Sequence, residues 1–150
     1  MARYTLQMAT RPKSRPFSIR ISGDAEELIA AEARRTRRSK GAVVESLAEE
    51  SLRTRMFPGV AFRGDDFERR AWVIGTTFDV WQVIDAYRDL GSVEALVAAG
   101  NLTERAARLA LAYYERFPSE IDEAIASNRR PLSRLRSEYP FIETQSPIGR

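Results

Sequence analysis

The hydrophobic pattern opens with a period of two. Phe17, Ile19 and Ile21 alternate with Pro16, Ser18 and Arg20, as in a half-buried strand. Pro16 lacks a backbone N–H and fits only a strand start or edge. The period then becomes helical. Ala25, Leu28, Ile29 and Ala33 share one face, and Gly23-Asp24 marks the break before it. Asp24, Glu26 and Glu27 suit the positive N-terminus of that helix. Ser39, an N-cap residue type, opens a second helix with a stripe of Val43, Val44, Leu47, Ala48 and Leu52, ending before Phe57-Pro58-Gly59.

Residues 60–63 and 70–74 predict a small hairpin around Gly64-Asp65-Asp66. Val80, Val83, Ile84 and Tyr87 then form a helical stripe closed by Gly91. Ser92 caps a short helix with Val93, Leu96 and Val97. Gly100-Asn101-Leu102 is a turn, and Thr103 caps a longer helix with Ala107, Ala110, Leu111 and Tyr114 inward. Pro118-Ser119 starts a last helix, with Ser119-x-x-Asp122 as a capping box and Ile121 and Ile125 inward. From residue 128 the period is lost among Pro131, Pro140 and Pro147, which predicts a tail that is poorly ordered alone. The fold class is therefore mainly α. A basic arm (1–14) precedes a strand-helix-helix unit (15–56), a small helical domain with a short β-hairpin (57–127) and a tail (128–150).

Composition narrows the function. The 150 residues include no Cys, which excludes disulfides and thiolate chemistry, and no His, the commonest metal ligand and general base. An enzyme is not expected, and no cofactor or metal is implied. No apolar run approaches the ~20 residues that span a bilayer. The first twenty residues lack the apolar core of a signal peptide, so a cytoplasmic location is expected. The net charge of +3 hides an asymmetry. Residues 1–40 hold ten Lys/Arg against four Asp/Glu, a balance of +6, which leaves −3 for the rest. A basic front suggests a polyanionic partner.

The strand at 16–21 has no partner within its own segment, and about 40 residues with few large apolar side chains cannot close a monomeric core. A symmetric dimer that pairs the two strands antiparallel solves both problems. A two-stranded ribbon fits the major groove, and its outward residues Pro16, Ser18 and Arg20 then become candidates for base contact. Arg37, Arg38, Ser39, Lys40 and Gly41 place clustered cations at a helix N-terminus, a setting suited to a DNA phosphate. A solvated strand edge and an ordinary inter-helix loop would account for each group taken singly.

Residues 16–54 resemble the ribbon-helix-helix family of Arc/MetJ/CopG-like repressors. The resemblance rests on Phe17-Ser-Ile-Arg-Ile, a helix of about three turns, a basic turn into Ser39, and Val43-Val44-x-x-Leu47-Ala48. It implies an intertwined homodimer, base readout by Pro16, Ser18 and Arg20, and phosphate contacts at Ser39, Lys40 and Gly41. The family often has Gly in the inter-helix turn, where this chain has Arg37. Residues 57–127 resemble the DUF433 small helical domain found in antitoxins of VapBC-like modules. The carrying residues are Phe57-Pro-Gly-Val-Ala-Phe-Arg, Trp72-Val-Ile-Gly-Thr-Thr-Phe-Asp-Val-Trp, Asn101-Leu-Thr-Glu-Arg and Leu111-Ala-Tyr-Tyr. That resemblance implies a helix-turn-helix-like core at 92–99 and 103–117. Glu104, Arg105, Arg108 and Arg116 would then lie near phosphate or on a solvated face, and the domain could instead be a dimer or tetramer platform.

In VapBC-like modules the partner resembles a PIN-type ribonuclease with clustered carboxylates and Mg²⁺. An antitoxin Arg entering that site would pair with carboxylates. Arg134 or Arg136, anchored by Leu132 and Leu135, are the candidate toxin contacts. A tail packing on its own domain is the plainer alternative. Trp72, Phe78, Trp81, Tyr87, Tyr113 and Tyr114 read as core rather than a stacking platform. Asp65-Asp66-x-Glu68 reads as a solvated turn rather than a metal site, and Asp85 and Asp89 as surface ion pairs with Arg88. The sequence thus points to an antitoxin that represses its own operon by binding operator DNA. A stand-alone ribbon-helix-helix regulator and a protein-binding assembly module are the alternatives.

Overall fold

The computed structural model describes residues 15–100 and 102–129. The chain is mainly helical with one small antiparallel sheet. Helices α1 (Gly23–Thr36) and α2 (Lys40–Met56) precede strands β1 (Val60–Arg63) and β2 (Arg70–Val73). Helices α3 (Val80–Leu90), α4 (Val93–Ala98), α5 (Glu104–Arg116) and α6 (Pro118–Asn128) follow. The expected arm at 1–14 and the candidate contacts Leu132, Arg134, Leu135 and Arg136 lie outside the described residues. No described helix is long and apolar enough to cross a membrane.

The chain divides into two compact units, Met1–Val43 and Val44–Arg150. The boundary falls inside α2. The C-terminal half of α2 makes polar contacts within the second unit. Arg53 bonds Glu120 and Tyr113, and Glu50 pairs with Arg69 at 2.6 Å.

In the first unit, α1 starts where the sequence breaks, but its cap is Ser22. The Ser22 hydroxyl accepts the Ala25 N–H at 3.3 Å. Ser39 caps α2 as expected, with its Oγ accepting the Ala42 N–H at 3.1 Å. Between the helices Arg37 takes φ 54°, ψ 36°, the left-handed conformation that favours glycine. Its backbone N–H closes α1 on the Ala33 and Arg34 carbonyls. Residues 15–22 form no regular secondary structure. A strand needs a partner for its ladder, and no described residue supplies one. Phe17, Ile19, Ile21 and Leu28 are 81%, 59%, 45% and 73% exposed, while Ala33 and Val43 are buried.

The second unit closes its own core. In the β1–β2 hairpin Val60 pairs with Val73 and Arg63 with Arg70. Alternation turns Val60, Ala71 and Val73 inward. Gly64 makes the turn possible: at φ 111°, a Cβ there would lie 2.7 Å from the Glu68 carbonyl oxygen. Helix α3 buries Val80, Val83 and Ile84 and ends at Gly91, which is left-handed with φ 84°. Ser92 and Thr103 cap α4 and α5 through the N–H groups of Ala95 (3.1 Å) and Ala106 (3.2 Å).

Helix α5 faces the core through Ala106, Ala107, Ala110 and Tyr113. The inward stripe is thus rotated from the expected one, with Leu111 and Tyr114 only partly buried. Small residues here let α3 and α4 approach closely, and the single large buried side chain is Tyr113. Helix α6 buries Ile121 and Ile125 as expected, but Ser119 does not cap it. Pro118 occupies the first turn, where its missing N–H costs nothing, and Phe117 stands at the cap position.

Candidate nucleic-acid interface

The residues expected to face DNA occupy the first unit. Pro16, Ser18 and Arg20 are all exposed on the unpaired segment before α1. The junction residues Arg37, Ser39, Lys40 and Gly41 are exposed at the start of α2, and Arg38 is half-buried. Nothing would lie within 4 Å of a Cβ at Gly41, so the backbone there is open to approach.

The junction is built by local hydrogen bonds. Arg38 donates from Nη2 to the Ala42 carbonyl at 2.9 Å, and its backbone N–H donates to the Ala33 carbonyl at 3.0 Å. Arg38 is therefore part of the turn, a role beyond the phosphate contact expected of it. Lys40 Nζ lies 3.1 Å from Glu26 Oε1, and Arg35 pairs with Glu32 at 2.6 Å. The inter-helix turn and the start of α2 thus present the exposed Arg37, the N–H groups of a helix start, and one ammonium already facing a carboxylate. Oriented N–H groups with flanking cations can bind a phosphate oxygen.

The second unit directs its charge elsewhere. Asp79, only 8% exposed, heads α3. It accepts from Arg63 Nε at 2.7 Å and lies 3.8 Å from Arg70 Nε, while Gln82 reaches back to its N–H at 2.8 Å. Arg53 pairs with Glu49 within α2, joins that helix to Glu120 and the Tyr113 hydroxyl (2.9 Å), and stacks 4.0 Å over the Phe117 ring. Burial opposes the Arg53 charge, but the Glu120 carboxylate outweighs it and holds the guanidinium above its usual value. Burial, reinforced by the 2.5 Å hydrogen bond to Glu120, pushes the Tyr113 phenol well up.

Asp85 and Asp89 are in ion pairs, but with Arg129 (2.6 and 3.0 Å) and not Arg88. Arg88 reaches Asp122 (2.5 Å) and Tyr114 (2.6 Å). The partner was invisible to local spacing because it lies forty residues away. On α5, Glu104 and Arg108 pair with each other at 2.7 Å, Arg105 is exposed, and Arg116 lies 5.4 Å from the Phe117 ring. Phe78, Trp81, Tyr87, Tyr113 and Tyr114 all belong to or pack against the core, and Trp72 is half-buried. Among the described residues no group of three or more acidic side chains is placed to hold a metal.

Comparison with protein-family models, with curated proteins and with solved structures gives no match for this chain.

Proposed function

We propose that the chain is the antitoxin of a type II toxin–antitoxin pair of the VapBC kind. In this reading it forms a ribbon-helix-helix homodimer on a palindromic operator, represses its own operon, and neutralises a PIN-type ribonuclease. One observation carries the DNA-binding part. An alternating apolar segment, Phe17/Ile19/Ile21, stands exposed and unpaired directly ahead of two capped helices with a basic junction. A second copy would cover those side chains and complete the ladder, leaving Pro16, Ser18 and Arg20 for base edges and Arg37 to Gly41 for phosphate.

The left-handed residue between the helices supports the same reading, since the ribbon-helix-helix resemblance expects a glycine-like turn there. The self-contained second unit, with α4 packed on α5, fits the helix-turn-helix-like domain of the second resemblance. The toxin part rests on that resemblance and on the tail from Leu132 to Arg136.

Two measurements on the full chain test the reading. Arg20→Ala is expected to cost about 1–3 kcal/mol of operator affinity and to relax base preference. Unchanged affinity and preference would remove the ribbon readout. Co-expression with the adjacent reading frame is expected to yield a stable complex that masks a nuclease. DNA binding without such a complex would make the chain a stand-alone regulator whose second unit serves oligomerisation.

A further inference from the structure

The first unit carries a carboxylate on the very ammonium that would meet DNA. Lys40 is one of two lysines in the chain, the other being Lys13. Its Nζ sits 3.1 Å from Glu26 Oε1, with side chains 57% and 61% exposed, so the pair bridges the first turn of α1 and the first turn of α2. Asp24 and Glu27 are also exposed near the start of α1. The neighbouring cations are used differently: Arg35 pairs with Glu32, and Arg38 holds the Ala42 carbonyl.

We propose that Glu26 is a built-in competitor for Lys40: a DNA phosphate must displace its carboxylate, so Glu26 tunes the affinity and salt dependence of duplex binding. This rests on the DNA-binding reading above. A carboxylate and a phosphodiester oxygen are interchangeable partners for an ammonium. Because both side chains are exposed, the exchange is readily reversible and the released Glu26 is rehydrated. The exchange also alters the ion count. A free lysine that meets a phosphate releases about one condensed cation. A lysine that arrives from Glu26 leaves a carboxylate which recruits a cation back, so the net release is smaller. The effect is expected to be blind to base sequence, since the proposed base contacts are Pro16, Ser18 and Arg20 and the proposed role of Lys40 is on phosphate.

Binding of the full chain to a duplex from directly upstream of its own reading frame, and to an unrelated duplex of equal length, tests this across a salt series. Glu26→Gln is expected to raise affinity for both duplexes alike, by about two- to fivefold per protomer at low salt. It should also steepen the plot of log K against log salt by up to about 0.9 per contact. Glu27→Gln removes the same formal charge from the same helix turn and is expected to do distinctly less. In a Lys40→Ala background the Glu26→Gln gain should vanish. Matching circular dichroism and thermal unfolding of each variant confirm that folding is unaltered. Equal effects of Glu26→Gln and Glu27→Gln would reduce the result to net charge and overturn the proposal. So would a Glu26→Gln gain that persists without Lys40, or a wild-type chain that binds and is unmoved by Glu26→Gln. A wild type that shows no salt-dependent binding to either duplex would overturn the DNA-binding reading itself, and this proposal with it.

Discussion

The two compact units handle the same kind of hydrophobic pattern in opposite ways. The second gathers Val60, Val80, Ala107, Ala110 and Tyr113 into a core that solvent does not reach. The first leaves Phe17, Ile19, Ile21 and Leu28 largely in water. Both have well-formed helix ends, with Ser22 and Ser39 capping in one as Ser92 and Thr103 do in the other. Helix ends are thus equally well formed in both units, and the difference lies in where the apolar faces find partners. A cap needs only three or four residues, whereas a core needs enough chain to surround it. On the proposed reading, the first unit obtains its missing surface from a second copy.

The largest effect that would break this contrast comes from the core. Ile84 is buried among α3's neighbours, and Ile84→Ala is expected to cost about 2–5 kcal/mol, a steep fall in the thermal midpoint at any protein concentration. Ile19→Ala removes a side chain of the same size from the exposed segment. Its loss should appear only as a changed dependence of stability on protein concentration, read by sedimentation and by melts over a dilution series. A dilution-independent destabilisation by Ile19→Ala would mean that the segment packs within its own chain, and the contrast would fail.

The next effect sharpens what holds the C-terminal half of α2 within the second unit. Arg53→Met removes the cation shared by Glu49, Glu120 and Tyr113. A loss of about 1–2 kcal/mol is expected, kept small because Glu120 is more than one-third exposed and screened by solvent. The same cluster gives a pH signature. The Tyr113 phenol is raised above its ordinary value near 10, so the folded state holds that proton more tightly than the unfolded chain. The corresponding stability is fully present below about pH 10 and is lost as pH rises through the folded value. Tyr113→Phe should flatten that alkaline fall while leaving the neutral-pH slope unchanged, as urea melts from pH 7 upward would reveal. An alkaline fall of equal size in both proteins would place its origin elsewhere.

Features set by local signals were legible in the sequence. The hairpin around Gly64, the stop at Gly91 and the caps at Ser39, Ser92 and Thr103 each depend on a residue's own conformational preference. Pairings with a partner far along the chain were not legible. Asp79 collects Arg63 across sixteen residues, Arg53 meets Glu120 across sixty-seven, and Arg129 takes the aspartates that Arg88 was expected to serve. A stripe can also rotate by one position: Tyr113 rather than Tyr114 faces inward, with its hydroxyl held by Glu120 and Arg53. The candidate DNA residues were legible as a basic group, but not the internal duties of two of them, Arg38 on Ala42 and Lys40 on Glu26.

The smallest expected effect concerns Arg37. A non-glycine residue in the left-handed conformation costs about 1–2 kcal/mol, and glycine gives back about 0.5–1 kcal/mol through its freer unfolded state. Arg37→Gly should therefore stabilise the α1–α2 turn by somewhat less than 1 kcal/mol. Hydrogen exchange at the backbone N–H groups of Arg37 and Arg38, which donate to Arg34 and Ala33, would report it directly. The same substitution removes an exposed cation beside the proposed phosphate contact, so duplex affinity should fall while the turn becomes more stable. That opposition separates two explanations for an arginine where glycine is easier. If Arg37→Gly tightens the turn and weakens DNA binding, the strained residue is retained for its charge. If it leaves DNA binding unchanged, the positive φ has no functional counterpart, and the phosphate contact rests on Ser39, Lys40 and Gly41 alone.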